Sequence, residues 1–354
     1  MKVLHYVNEG HLAWAKPWMQ LLDALRDLGV ENVIMCPEKG PLTTMAKTNK
    51  FETKNFTPPV SWIPSISFKA KKIIEEVDPD LIHTRLSSAA AIGGYWGRKC
   101  KVPVLATIDK YPKEKYYRNV SHLVGCSRAV TEHMVNAGIP PDKVSTIHNP
   151  ILYDRYKKDL ETRDILRKEE GILPNNSVIL GAGRFVDWKA FDVLLSSVSK
   201  LKDMNNWTLW LVGDGPERKK LVSMVKDLGL TERVKFWGFA SDVRPFLWAS
   251  DLFIQPSNKP EGFSLMLLEA MAAELPVIAT SIGGTLDIVD EGENGWMVGP
   301  NDVKGLASLI RQALERENLR ELGENASLKA SLFSSDRIAS DYYDLYSRLT
   351  GKDT

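Results

Sequence analysis

The chain is poor in cysteine, in long apolar runs and in net charge. Three cysteines, Cys36, Cys100 and Cys126, show no paired or metal-type spacing. That excludes a disulfide scaffold or a cysteine-held metal as the organising device, and the thiols read as buried groups in a reducing cytoplasm. No apolar run approaches the ~20 residues that span a bilayer. The opening MKVLHYVNEG reads as a strand from Met1 rather than as a leader. A formal net charge of +1 supplies no basic field for nucleic acid. A complete G-x-G-x-x-G is also missing. Gly181-Ala182-Gly183 and Gly213-Asp214-Gly215 begin one, but Val186 and Arg218 hold the third place, which sets aside a nicotinamide dehydrogenase.

What is present is the interior of a two-domain protein. The chain has 354 residues, 44% hydrophobic and 26% charged, enough for two cores. Charge is unevenly placed. Residues 1–150 carry 20 Lys+Arg against 14 Asp+Glu, and residues 151–354 carry 26 against 31. All six histidines (5, 11, 83, 122, 133, 148) lie in the first part. A basic first half suits an anionic partner, such as a phospholipid surface or a phosphate-bearing acceptor, or is a chance partition. Strands at Lys2–Val7, Asn32–Cys36, Leu81–His83, Val102–Thr107, Leu123–Cys126 and Val144–His148 alternate with helices at Pro17–Leu28, Ala89–Lys99 and Arg128–Ala137. This is the pattern of a parallel, doubly wound sheet with ligands at its carboxyl ends. A charged stretch and the breaker Gly171–Asn176 place a linker over 151–176. The alternation then resumes at Ser177–Gly183, Trp207–Val212, Val234–Phe239, Asp251–Gln255, Val277–Ala279 and Asn294–Val298, before a helical tail.

The stretch Asn258 to Thr280, NKPEGFSLMLLEAMAAELPVIAT, organises the second half. A loop carrying Glu261 leads into an apolar helix at Ser264, and Glu269 follows on that helix. A carboxylate among Leu267, Leu268, Ala270 and Met271 needs hydrogen-bond donors, and a vicinal diol supplies two. The N–H groups of Phe263, Ser264 and Leu265 at the helix start favour an anion such as phosphate. The alternative is a buried helix with one satisfied and one surface glutamate. Upstream, Gly183, Arg184 and Lys189 at a strand exit form a candidate diphosphate clamp, or two surface cations near a turn.

The frame E-G-F-S-L-x-x-L-E-A-M-A-x-x-x-P-V-I-A-T, with seven residues between its glutamates, resembles the signature of retaining glycosyltransferases of family 4, with the GT-B fold. The resemblance is strong from about Ser177 to Gly299 and weak before Pro150. It implies an α/β architecture of two Rossmann-like, doubly wound parallel-sheet domains facing across a cleft. The domains would be residues 1–150 for the acceptor and 177–334 for a nucleotide sugar, with a C-terminal helix, 335–354, packing back on the first. It also implies a donor-sugar contact for Glu261 and a ribose contact for Glu269. The clamp would stabilise charge on the leaving diphosphate without metal or other cofactor. Gly213 and Gly215 occupy the family's G-x-G-P, and Gly238 and Phe239 become candidates for the base. Several departures stand out. The loop after the first strand, Asn8-Glu9-Gly10-His11, keeps one glycine, so Gly10 and His11 read as a tight loop at the cleft mouth. Of two expected histidines only His83 is present, Arg85 replacing the second; His83 has a cleft role or is a capped strand-end histidine. Asp109 stands where relatives have histidine, and it orients the acceptor hydroxyl, accepts its proton, or caps a loop. Ala190 replaces the glycine after Lys189.

The activity implied is retaining transfer of a hexose-type sugar, from a UDP-sugar by family frequency, to a glycan or lipid-linked acceptor in polysaccharide biosynthesis. A GT-B sugar-nucleotide epimerase and a non-catalytic nucleotide-sugar binder are the alternatives. Asp78-Pro79-Asp80 spells D-x-D but reads as a turn before a strand. In residues 62–72, Trp62 with Lys69, Lys71 and Lys72 is either a helix edge or a peripheral contact with anionic membrane at the inner face of the cell.

Overall fold

The computed structural model describes residues 1–9, 15–316 and 319–352. They form two units, Met1–Leu152 with Phe333–Thr354, and Tyr153–Leu332. The first contains β1 (Lys2–Val7), α1 (Ala15–Asp27), β2 (Glu31–Cys36), α2 (Pro41–Thr48), β3 (Glu52–Asn55), α3 (Phe68–Val77), β4 (Leu81–Arg85), α4 (Ser87–Cys100), β5 (Val104–Ile108), β6 (His122–Gly125), α5 (Arg128–Asn136) and β7 (Val144–Thr146). Its strands are parallel, in the order β3-β2-β1-β4-β5-β6-β7. Strands buried on both faces, such as Val104–Ile108, are near-continuous in apolar character, as parallel sheets require.

The second unit runs through α6 (Leu160–Glu169), β8 (Ser177–Ala182), α7 (Phe191–Val198), β9 (Trp207–Val212), α8 (Arg218–Asp227), β10 (Val234–Gly238), α9 (Arg244–Ala249), β11 (Leu252–Gln255), α10 (Leu265–Ala272), β12 (Val277–Thr280), β13 (Gly295–Val298), α11 (Val303–Glu315) and α12 (Leu319–Ser331). Its parallel sheet has the order β10-β9-β8-β11-β12-β13. In both sheets the strand order reverses once, between β1 and β4 and between β8 and β11. The two doubly wound sheets are those that the alternation and the resemblance imply.

Three details differ from the sequence reading. α2 and β3 carry no strong signal: PLTTMAKT is short, and ETKN is a polar edge strand that needs only backbone pairing to β2. Of residues 62–72, only those from Phe68 onward are in α3, a short 3₁₀ turn at Pro64–Ile66 coming before it. Residues 153–176 are not a linker but part of the second unit. Their charges point inward. Arg163 Nη2 and Arg167 Nη1 reach the two oxygens of Asp251 at 2.7 and 2.8 Å, and Arg163 Nη1 donates to the carbonyls of Trp248 and Ser250, each at 2.9 Å.

The last helix, α13 (Ser335–Thr350), belongs to the first unit and packs on α1. Ile338, Ala339, Tyr342, Leu345 and Tyr346 are buried on one helical stripe. Both tyrosine hydroxyls enter a polar seam inside the sheet. Tyr346 bonds His83 Nδ1 at 2.6 Å, Thr107 bonds His83 Nε2 at 2.7 Å, and Tyr342 bonds Thr107 at 2.9 Å. Tyr346→Ala is expected to cost roughly 3–5 kcal/mol of unfolding free energy through the cavity it leaves. Tyr346→Phe, which only orphans the His83 nitrogen, is expected to cost about 1–3 kcal/mol. Urea unfolding of the two variants measures the order, and equal costs would show that the hydroxyl carries the contact rather than the ring.

Candidate active site

At the order reversal of the second sheet, β8 and β11 are neighbours, with Ile179 opposite Leu252 and Leu180 opposite Phe253. Their carboxyl-terminal exits therefore open side by side, where ligands enter open parallel sheets. One exit brings Gly183 to Lys189, the other Pro256 to Glu261. Lys189 Nζ donates to both oxygens of Glu261, at 2.7 and 2.8 Å, and Ser257 Oγ donates to Oε1 at 2.7 Å. The Lys189 and Glu261 side chains are 13% and 15% exposed. An ion pair so far out of water persists only with added hydrogen bonds such as Ser257 provides. The loop backbone is tied down as well. Asn258 N–H donates to the Trp188 carbonyl and Gly284 N–H to the Glu261 carbonyl, both at 2.9 Å, and Thr280 Oγ1 donates to the Ser257 carbonyl at 2.6 Å. The Lys189 ammonium also lies 4.8 Å from the Trp188 ring centroid. Arg184 is exposed and makes no ion pair among the described residues.

The exits are laced together by glycines. Gly183 N–H donates to the Val212 carbonyl at 2.9 Å, and Gly213 N–H to the Gly238 carbonyl at 2.7 Å. A Cβ on Gly213 would come within 1.9 Å of the Gly183 oxygen, and one on Gly215 within 2.3 Å of the Phe185 oxygen. Close packing of neighbouring exits thus explains both glycines without a ligand. Phe239, just past β10, is 80% exposed. Ser264 caps α10: its Oγ accepts from Leu267 N–H and donates to Gln255. Phe263 is buried, and Leu265 opens the helix.

Glu269 lies half-buried on α10. Burial pushes its carboxyl up to about 7, against the lowering effects of the Tyr156 hydroxyl that donates to it and of Arg155; Asp242 adds to the rise. Tyr156, buried and far earlier in the chain, carries no local sequence signal for this contact. Ser257 and Trp188 are likewise visible only once the exits converge.

In the first unit the assignments change. Gly10 and His11 lie outside the described residues. His83 is not an accessible cleft histidine. It is 2% exposed, both ring nitrogens are bonded within the seam under α13, and burial holds it well below the usual imidazole range. Asp109, at the exit of β5, is anchored by Asn149 Nδ2 at 2.9 Å and by Arg85 Nη1 at 3.5 Å. Its Oδ2 is buried without a hydrogen-bond partner. Arg85 and Asn149 also bond each other, at 3.4 Å. Asp80, of the D-x-D string, accepts from Lys2 N–H at 2.8 Å and from Lys352 at 2.6 Å, at the opposite end of the sheet. Among the described residues no three His, Cys, Asp or Glu side chains are grouped so as to hold a metal ion.

Comparison with known proteins follows the same division. Residues 162–329 match the family model described as "Glycosyl transferases group 1", and residues 18–155 match "Glycosyltransferase Family 4". A lipopolysaccharide core biosynthesis glycosyltransferase, LpsE of Rhizobium meliloti (strain 1021), is 28% identical over 98% of each chain. The chain belongs to the family 4-like glycosyltransferases of the GT-B fold. A second relative, an N-acetyl-alpha-D-glucosaminyl L-malate synthase from Bacillus anthracis, is 33% identical over 62% of this transferase and 58% of its own length. Among solved structures, Anabaena Alr3699/HepE in complex with UDP aligns over 99% of the transferase and 100% of that chain, with a TM-score of 0.87 and 24% identity.

For the transferase, Glu269 is a carboxylate kept at a cost. Its folded pKa lies above the unfolded value of 4.5, so the group favours the folded state while protonated. That contribution is lost as pH rises from about 4.5 through 7. Glu269→Gln is therefore expected to stabilise the transferase at pH 8 by roughly 1–3 kcal/mol and to change little at pH 4.5. Paired melts at the two pH values check this, and a variant destabilised at pH 8 would contradict it.

Proposed function

We propose that the transferase moves a hexose-type sugar from a nucleoside-diphosphate donor, a UDP-sugar by preference, to a glycan or lipid-linked acceptor, with retention at the anomeric carbon. The observation that carries the reading is the Lys189–Glu261–Ser257 cluster at the adjoining exits of β8 and β11. Glu261 meets the donor sugar. Arg184, which has no ion pair among the described residues, and Lys189 meet the diphosphate, and Glu269 takes the ribose diol. Phe263, Ser264 and Leu265 sit at the start of α10, whose N–H groups favour the same anion. Gly238 and Phe239 border the base. No metal enters the proposal, because two cations supply the positive charge that the leaving group needs.

In the step itself, the bond from the acceptor oxygen to the anomeric carbon forms as the bond from that carbon to the diphosphate oxygen breaks. Attack comes from the face the diphosphate leaves, and the acceptor proton passes to the leaving phosphate. No separate base is then required, and Asp109, held by Asn149 and Arg85, orients the acceptor hydroxyl. The chemistry is in keeping with relatives named for polysaccharide biosynthesis and with structural neighbours solved with UDP, UDP-glucose, or UDP and glucose. The same names favour transfer over an epimerase or a non-catalytic binder.

A thermal-shift panel of nucleoside diphosphates and sugar nucleotides should pick out one donor, since stabilisation grows with RT ln(1 + [L]/Kd). With that donor, Arg184→Ala is expected to lower transfer about a hundredfold or more while the free protein melts as before. Wild-type transfer by Arg184→Ala, or a panel in which nothing binds, would sink the proposal. A second expectation concerns pH. A diol donates to the ionised carboxylate, and a group with a pKa of about 7 is mostly neutral at pH 6 and mostly ionised at pH 8. Donor affinity should thus rise about tenfold between pH 6 and 8. Glu269→Gln should flatten the profile, and calorimetry at the two pH values reads the difference directly.

A further inference from the structure

The transfer chemistry gives Tyr156 no task. The residue ends a short 3₁₀ turn, Tyr153–Tyr156, at the start of the second unit. The turn packs on α10 and is wedged between its neighbours. Tyr153 Oη lies 2.9 Å from Ser327 Oγ of α12, and the Tyr156 carbonyl accepts from Trp248 Nε1–H of α9 at 3.0 Å. Tyr156 is 8% exposed, and its hydroxyl donates to Glu269 of α10. Burial keeps that hydroxyl protonated far above neutral pH, so it is a donor throughout the range in which the glutamate titrates.

Glu269 is half-buried rather than enclosed. The groups that face it are Tyr156 and Arg155 of the turn and Asp242, just before α9. Asp242 is itself held by Arg244, whose Nε reaches its two oxygens at 2.8 and 3.1 Å. α12 also packs on α10, but its Arg320 and Lys329 are engaged by Glu324 at 2.9 Å and Asp290 at 2.8 Å. The strands beside α10, β11 and β12, bring no ionisable side chain. Two groups therefore favour the charged carboxyl. Arg155 is exposed, where solvent screens it, so the fixed one is the Tyr156 hydroxyl. An ionised carboxylate has about four lone-pair sites. One bond from Tyr156 leaves room for two more donors, and two is what a vicinal diol brings. A neutral carboxyl would carry its own proton into the same space and accept less well.

We infer that Tyr156 is a positioning residue of the nucleotide site: its hydroxyl holds the Glu269 carboxylate in acceptor form and in one orientation, and so sets the preference for a ribose over a 2′-deoxyribose nucleoside diphosphate. The inference rests on the reading of Glu269 as the ribose contact. Tyr156 acts through the glutamate and touches no reacting atom.

The test uses four proteins: wild type, Tyr156→Phe, Glu269→Gln and the double variant. They are melted without ligand at pH 5 and pH 8.5, and titrated by calorimetry with UDP and 2′-deoxy-UDP at pH 7 and pH 9. Tyr156→Phe keeps the ring, so a cooperative melt at pH 5 shows that the variant is folded. The folded pKa of Glu269 is already raised, and removing the hydroxyl raises it further, so the cost to the folded state grows as pH rises. Glu269→Gln should accordingly raise the melting point at pH 8.5 more in the Tyr156→Phe background than in the wild type, with the two backgrounds agreeing at pH 5. A rise of about one pH unit in the Glu269 midpoint weakens UDP about fivefold at pH 7 and little at pH 9. 2′-Deoxy-UDP should weaken less, narrowing the ribose preference, and Tyr156→Phe should change neither affinity once Glu269→Gln is in place. Equal Glu269→Gln gains in both backgrounds, with UDP affinity unmoved by Tyr156→Phe, overturn the inference and leave the ribose reading standing. An equal loss of UDP affinity with and without Glu269→Gln also overturns it, by making Tyr156 a packing residue. UDP affinity that Glu269→Gln leaves unchanged at both pH values fails the ribose reading and takes the inference with it.

Discussion

The second unit's site depends on one ion pair. Lys189 comes from the exit of β8 and Glu261 from the exit of β11, and their contact joins two loops separated by the whole β9-to-β10 arm of the sheet. Adjacency of the two strands places the loops together. The pair, with Ser257, then fixes where a carboxylate and an ammonium point. Buried in this way, such a pair contributes little net stability compared with an apolar replacement, because desolvation offsets most of the attraction. What it provides is orientation. The glycines around it serve the same end by a different route. Gly213 and Gly284 leave room for the backbones of Gly183 and Gly262, so that the exits can lie against one another. Glu269 follows the same logic, being retained in a setting that favours its neutral form.

The first unit solves another problem. Its sheet interior is polar, with His5 donating to Asn32 at 2.8 Å and packed against His83, and with Thr107, Tyr342 and Tyr346 completing the seam. A buried polar network is tolerable only when its members are satisfied, and here the last helix satisfies them. α13 is thus more than a terminal strap. Its two hydroxyls finish the hydrogen bonding of a sheet more than 200 residues earlier in the chain, which is why a helix of ordinary amphipathic character is buried so specifically there.

Most of the architecture was legible because apolar runs alternate with amphipathic stretches at fixed intervals. Parallel strands buried on both faces announce themselves. Polar edge pieces such as β3 do not, since backbone pairing alone holds them, and the charged α6 reads as a linker because nothing local reveals that Arg163 and Arg167 reach Asp251. Glu261, Lys189 and Glu269 stand out as candidates through their spacing, and the structure brings Lys189 to Glu261. Ser257 and Tyr156 do not stand out, since their roles exist only after distant segments meet. Ala190 shows how a substitution can be visible while its meaning is hidden. It adopts φ +51°, the left-handed region that explains why glycine is usual there, and its methyl group is nevertheless accommodated in the interior. His83 failed for the opposite reason: a strand-end histidine looks functional until the helix that covers it is in place.

Two departures from the family pattern turn out to be one. Arg85 stands for an expected histidine, and Asp109 for another, and in sequence the changes look unrelated. In the structure Arg85, 2% exposed, lies 3.5 Å from Asp109, and Asn149 bonds to both. An arginine buried at that depth without a carboxylate would cost several kcal/mol, as would an aspartate lodged against neutral neighbours. Neither residue is therefore tolerable alone, each supplying the charge that the other's surroundings require. The pairing keeps the local charge near zero and places a carboxylate, an acceptor when ionised, at the exit of β5. A group placed against Asp109 Oδ2 must then bring its own hydrogen, and a hydroxyl can do so where a carbonyl or phosphate oxygen cannot.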